Sequence, residues 1–228
     1  MDVNVKGAII PSEDGWIYDF FGIEYTSPKS VKEAIAKAGG EKLDVYINSP
    51  GGDVFSGTEI ADSIRAYKGD VLIHITGLAA SAATVVACAR ESEISPSSLF
   101  MVHNVSSYAE GDTHAMEHQA EVLQKANRAI AAAYTTKAGM TEAEALELMD
   151  RESWLTASEA VEKKLVDRIT GAGAQTNSVK LAASASMNNG MIPQRIIDKM
   201  KAEKLENSQK AKLQAELELI KLGGIQND

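Results

Sequence analysis

Apolar and polar positions along the chain fall into short blocks whose period changes repeatedly. VNVKGAII (3–10) and WIYDFFG (16–22) have strand composition and are separated by turn residues from Pro11 to Gly15. TSPKSVKEAIAKAGG then takes up helical spacing, with Ser27 as N-cap, Pro28 in the first turn and Gly39 as the stop. LDVYIN (43–48) reads as a buried strand, SPGG as a turn, and VFSGTEIADSIRAYKG as a helix with apolar positions at Val54, Ile60, Ile64 and Tyr67. DVLIHITG (70–77) is the next strand, a helix starts near Ser81, and LFMVHN (99–104) is a third core strand. Strands alternating with helices predict an α/β fold with a largely parallel sheet.

The longest helical pattern runs from Thr113 to Lys137, with Met116, Ala120, Leu123, Asn127, Ile130 and Tyr134 on one stripe at spacings of three and four. A stripe of this length asks for a partner surface, so self-association through this helix is expected. Gly139 ends it. Thr141 with Glu144, and Thr156 with Glu159, form capping boxes for two further helices, and VDRIT is the last strand. These elements make residues 1–170 one unit. Residues 171–190, rich in Gly, Ala, Ser and Asn, read as a flexible linker, and residues 191–228 as a helical tail with Ile196, Met200, Leu205, Leu213, Leu217 and Ile220 at near-helical intervals. There is no internal repeat.

Charge narrows the partners. The chain of 228 residues carries a net charge of −9. Residues 190–228 hold seven Lys/Arg and six Asp/Glu, so residues 1–189 account for −10. A body that acidic is a poor match for nucleic acid or anionic lipid. The single cysteine, Cys88, leaves no disulfide framework and no cysteine zinc site within one chain. The N-terminus is too polar for a signal peptide, and no apolar run approaches spanning length, which predicts a cytoplasmic protein.

Four stretches carry candidate chemistry. INSPGGDV places two glycines after a strand; without a GxxxxGK[ST] or GxGxxG pattern they are a turn or an oxyanion site using the Gly52 N–H. GLAASAATVVACA places Ser81 among alanines at a helix start, as an N-cap or as a nucleophile left accessible by its neighbours. MVHN ends a strand with His103, a structural histidine or the base for Ser81. MDRESWLTA offers Asp150 and Glu152, as helix-terminal charges or as the carboxylate that orients the imidazole. HAMEH (His114, His118) fits a zinc spacing, but its histidines lie off the apolar stripe, and His74 sits inside a strand. Neither a metal nor a cofactor is expected.

INSPGG, GLAASAA, MVHN and ESWLTASEAVEKKLVD, in that order, resemble the ClpP-type serine peptidases over roughly residues 1–170, and most of all the head maturation proteases of tailed phages and prophages. WIYDFFGIEYTSP leading into INSPGG is similar to theirs. The resemblance implies a crotonase-like spiral of ββα units, a long handle helix from Thr113, and homo-oligomeric stacked rings. It implies Ser81 as nucleophile, His103 as base, and Gly52 and Ala82 as oxyanion donors. The family's aspartate falls on Glu152, one methylene longer, with Asp150 as the alternative acid. The implied activity is a serine endopeptidase working through an acyl-enzyme, with capsid or scaffold proteins as substrates. The chain reaches its first strand almost immediately, which argues against docking to a Clp-type ATPase. A crotonase-type acyl-CoA enzyme and a catalytically idle ring subunit are the alternatives. The small residues of KLAASASMNNG predict self-cleavage between about Leu181 and Met191.

Overall fold

Alternation of buried Val3 and Val5 with exposed neighbours makes Asp2–Ile9 a strand, β1. In the computed structural model, which describes residues 1–171 and 191–223, the next apolar block departs from expectation. WIYDFF forms a helix, α1 (Gly15–Phe21), rather than a strand. Ile17 and Tyr18 are consecutive and both buried, whereas Phe20 is 73% exposed. Consecutive side chains leave a strand on opposite faces but lie only about 100° apart on a helix. Gly22, at φ 63°, then ends the helix, its N–H reaching the carbonyls of Asp19 and Tyr18.

The chain continues through β2 (Tyr25–Thr26), α2 (Pro28–Lys37), β3 (Leu43–Gly52), α3 (Val54–Ala66), β4 (Val71–Ala80) and α4 (Ala82–Ala87). It goes on through β5 (Ser92–Ile94), β6 (Leu99–Val102), α5 (Thr113–Ala138), α6 (Glu142–Asp150), β7 (Ser153–Thr156), α7 (Ala157–Glu162) and β8 (Arg168–Ile169). The sheet runs β2-β1-β3-β4-β5-β8 with every pair parallel. β4 is long enough to serve two partners: Ile73–Ile75 pair with β5, and Leu78–Ala80 pair with β6. β6 also pairs with β7, the one antiparallel ladder among the described residues. The core lies between the sheet residues Val45, Ile47, Ile73 and Ile75 and the helical residues Ile60, Ile64, Val86 and Tyr134. β5 and β7 are too short to show a period, which is why the sequence pattern does not reveal them.

SPGG is not a turn after β3. The ladder runs through it, pairing Gly51 with Ala8 and Gly52 with Ile9, and only Asp53 turns the chain by capping α3 through the Ser56 N–H at 2.7 Å. Gly51, at φ 89°, lies against the segment that begins α4: a Cβ there would stand 2.5 Å from the Ala80 carbonyl oxygen and 2.7 Å from the Ser81 Cβ.

Other polar groups tie the layers. His74 on β4 is flanked by the carboxylates of Asp44 on β3 (3.0 Å) and Glu93 on β5 (2.8 Å), with Tyr46 stacked on its ring. Cys88 is buried, and burial pushes its thiol up to about 12, which leaves it an inert core residue. Asp167 accepts from the Ser92 N–H at 2.7 Å and pairs with Lys137 at the end of α5. The first half of α5 has little cover: the buried residues of the helix, Ala131 and Tyr134, lie in its second half, and Met116 is exposed.

The tail forms α8 (Gln194–Gly223). Its beginning packs on α1 and β1, with Ile192 and Ile197 joining Ala8, Ile10, Ile17 and Tyr18. The Ile192 N–H donates to the Tyr18 hydroxyl at 3.3 Å, Lys201 pairs with buried Asp14, and Lys204 lies 4.2 Å from the centre of the Trp16 ring. Farther along, Leu205, Leu213 and Leu217 are exposed. The expected linker and self-cleavage stretch lie, apart from Gly171 and Met191, outside the described residues.

Three outcomes follow from this packing. Burial raises the Asp167 pKa, but Lys137 and the Ser92 N–H outweigh it and hold the carboxyl below its ordinary value. A folded pKa below the unfolded one stabilises the protein above the unfolded value, about 3.9, and that contribution is lost as pH falls through the folded value. Asp167→Asn is expected to lower the urea midpoint at pH 7, with the deficit closing as pH falls below the unfolded value of about 3.9. Gly51→Ala is expected to cost more than about 2 kcal/mol in urea unfolding, from backbone strain plus a clash with fixed backbone. Gly139→Ala, also at positive φ but with nothing within 4 Å of the added Cβ, is expected to cost about 1 kcal/mol.

Candidate active site

Parallel pairing of β4 with β6 sets Ala80 beside Met101, so both strands end at one edge of the sheet. The Ser81 N–H donates to the Met101 carbonyl at 2.9 Å, fixing the residue that follows β4 against the strand that leads to His103. Ser81 Oγ and His103 Nε2 are then 2.7 Å apart. These two residues are 22 positions apart in the chain and are joined by strand register alone.

Ser81 occupies the N-cap position of α4, yet its hydroxyl makes no capping hydrogen bond. The capping reading of this serine therefore does not hold. Its backbone stands at φ 54° and ψ −126°. A non-glycine residue held there costs on the order of 1–3 kcal/mol and is kept only by its surroundings. Here the surroundings are two hydrogen bonds to its carbonyl, from the Thr84 N–H (2.9 Å) and the Thr84 hydroxyl (2.6 Å), besides the N–H bond to Met101. The turn between β4 and α4 thus projects the Ser81 side chain toward His103 instead of back along the helix.

A cleft of about 350 Å³ opens over this pair. Gly52 and Ala82 both line it. Ala82 is the first residue of α4, so its N–H has no acceptor within the helix. The remaining wall is mostly apolar, with Val54, Phe55, Val85, Leu123 and Ile130, and Met191 stands at its edge. α5 supplies one side of the cleft through Val122, Leu123, Ala126 and Ile130, so part of the stripe read as an association surface faces the site.

The carboxylates are placed differently. The antiparallel register of β6 with β7 ends at Val102 opposite Ser153, so His103 and Glu152 are each the next residue beyond the ladder. Glu152 itself is exposed and has φ 47°. Asp150, at the end of α6, accepts from the Asn104 side-chain amide at 2.7 Å. Among the described residues, neither carboxylate pairs with the His103 ring, whose recorded partner is Ser81. When Ser81 donates to Nε2 the proton of the neutral ring sits on Nδ1, which points away from the serine and is free to donate to an acceptor.

His114 is 93% exposed at the start of α5 and stands 3.8 Å from Glu117, and among the described residues no group of His, Cys, Asp or Glu is arranged to hold a metal. Three polar residues near the site carry no role in the sequence reading. Asn104 engages Asp150, and Thr84 and Tyr134 join each other at 2.7 Å beneath Ser81. Asn104 follows His103 directly, a position that could have flagged it. Nothing in the sequence links Thr84 to Tyr134, which stands on the apolar stripe of α5.

A family model described as Clp protease matches residues 34–173. Among similar proteins, the ATP-dependent Clp protease proteolytic subunit of Bacteroides fragilis is 32% identical over 134 residues, covering 57% of this chain and 64% of that protein. Subunit 3 of Rhizobium etli is 34% identical over 139 residues, covering 60% and 72%. Subunit 1 of Streptomyces avermitilis is 35% identical over 130 residues, covering 56% and 60%. The chain therefore spans less than two thirds of the length of the Bacteroides and Streptomyces relatives. The matched region contains both strand ends that carry Ser81 and His103, the whole of α5, and the β7 strand that Glu152 precedes. On this match, with its parallel sheet and long α5, the chain belongs to the Clp protease family.

Proposed function

We propose that this protein is a serine endopeptidase whose nucleophile is Ser81. The observation that carries the reading is a serine hydroxyl, unused as a cap and held on a positive-φ residue, 2.7 Å from an imidazole nitrogen. Ser81 Oγ attacks the scissile carbonyl carbon while His103 Nε2 takes its proton. The negative charge that develops on the carbonyl oxygen is received by the N–H groups of Gly52 and Ala82. His103 then protonates the leaving amine as the C–N bond breaks, leaving an acyl-serine. Water attacks that ester with His103 again as base, and the acid product and free Ser81 result. Register favours Glu152 over Asp150 as the group that orients the imidazole: it lies one step beyond the β6–β7 ladder, whereas Asp150 is engaged by Asn104.

The finer reading is a prohead maturation protease of a tailed phage, acting on capsid or scaffold proteins and working as stacked homo-oligomeric rings in the host cytoplasm. Its supports are the WIYDFFGIEYTSP–INSPGG stretch, the thinly covered first half of α5, and a C-terminal helix that packs on α1. Met191 at the edge of the cleft keeps self-cleavage between about Leu181 and Met191 part of this reading.

Ser81→Ala and His103→Ala are each expected to lower peptidase activity by several orders of magnitude, because such groups act as a unit. A fluorophosphonate probe is expected to label wild type at Ser81 and to leave Ser81→Ala unlabelled; a crotonase-type enzyme would be unlabelled in both. Glu152→Gln is expected to lower activity more than Asp150→Asn does, and equal effects would remove the assignment of the acid. Mass spectrometry of wild-type and Ser81→Ala chains, each expressed with a tailed-phage capsid protein, tests the maturation role. Capsid fragments and a shortened protease chain are expected with wild type only. Light scattering that shows only a 24.4 kDa species at micromolar concentration would count against the rings.

A further inference from the structure

Tyr134 is 2% exposed and sits where α5 crosses α4. A phenol buried that deeply needs a hydrogen-bond partner. Its partner is the Thr84 hydroxyl at 2.7 Å, on a residue with no exposure at all. Thr84 Oγ1 in turn lies 2.6 Å from the Ser81 carbonyl oxygen. The direction of both bonds is fixed by chemistry. A carbonyl oxygen only accepts, so the single Thr84 proton goes to Ser81, and the Tyr134 proton goes to the Thr84 oxygen. Burial also pushes the Tyr134 phenol well above its usual range, so it remains a donor at every working pH.

This chain of donors ends on Ser81, the residue whose backbone is strained. A threonine that bonds back three residues at a helix start is commonplace, and by itself would only satisfy a local carbonyl. The second bond is not local: it reaches 50 residues along the chain to another helix and leaves the Thr84 hydroxyl a single orientation. With the Ser81 N–H tied to Met101 and its carbonyl tied to Thr84, both peptide groups flanking the serine are clamped. Without the clamp, the Ser81 backbone is free to relax toward negative φ, which swings its Cβ and hydroxyl away from His103.

We infer that Thr84 and Tyr134 are positioning residues that hold Ser81 in its positive-φ conformation with the hydroxyl aimed at His103. The inference rests on the reading of Ser81 as the nucleophile. It assigns the pair no contact with the reacting atoms, so its signature is a loss in kcat and in the rate of serine modification without a loss of substrate binding.

Full-length Tyr134→Phe, Thr84→Val and Thr84→Ser decide it, each assayed for kcat and KM on a fluorogenic peptide, for the rate of fluorophosphonate labelling, and for Tm. Thr84→Val is expected to lower kcat and labelling rate on the order of a hundredfold, and Tyr134→Phe about tenfold, with KM within about twofold of wild type. Thr84→Ser keeps the hydroxyl and is expected to restore both rates to within a few-fold of wild type. Wild-type kcat and labelling in Tyr134→Phe and Thr84→Val, whatever their Tm, would overturn the inference. If Thr84→Val does not fold, Tyr134→Phe decides alone, because it removes one oxygen and keeps the ring. Ser81→Ala is run beside them: retained activity there removes the nucleophile itself, whereas an inactive Ser81→Ala with unaffected Tyr134→Phe removes only the brace.

Discussion

The hydrogen bond from the Ser81 N–H to the Met101 carbonyl is the contact on which the rest of the site depends. It is the last rung of the β4–β6 pairing, and it stands where two parallel strands end together. Parallel strands send their C-terminal ends to the same edge, so a residue just beyond one and a residue just beyond the other become neighbours however far apart they are in sequence. Shifting that register by one residue would turn the side chains of β6 to the opposite face and carry His103 away from Ser81. The apolar side chains of both strands, buried against the helices, hold the register where it is.

Strain at Ser81 is tolerable because it is confined and braced. The cost of a positive-φ serine is a few kcal/mol at most, against a core that buries Phe100, Tyr134 and a series of isoleucines almost completely. Gly51 takes part by omission: with no Cβ it lets β3 pass close to the Ser81 backbone, which any larger residue would push aside. Close packing beneath Ser81 and open space above it arise from the same choice of small residues, glycine at 51–52 and alanine at 79–80 and 82–83.

α8 adds a different kind of constraint. Its first turn and the residues just before it join the core beneath α1 through Ile197 and Ile192, and Met191 lines the cleft. The helix fold of WIYDFF makes this possible, since a strand could not present Ile17 and Tyr18 together to the arriving tail. A segment whose periodicity was ambiguous thus became the seat of an appended helix.

By itself the sequence determined the α/β alternation, the capped helices α2, α6 and α7, the long α5, and a short set of candidate site residues. Caps, glycine stops and helical stripes are local signals, and local signals survive in a linear string. It could not determine that WIYDFF is helical or that SPGG continues a strand, because short apolar runs fit either period and glycine permits either path. Nor could it choose between cap and nucleophile for Ser81, or between Glu152 and Asp150. Only the tertiary structure decided that the Ser81 hydroxyl faces His103, that Asn104 engages Asp150, and that Tyr134 reaches Thr84. Those pairings join residues 22, 46 and 50 positions apart, and distances of that kind are set by strand register and helix packing, which no local pattern encodes.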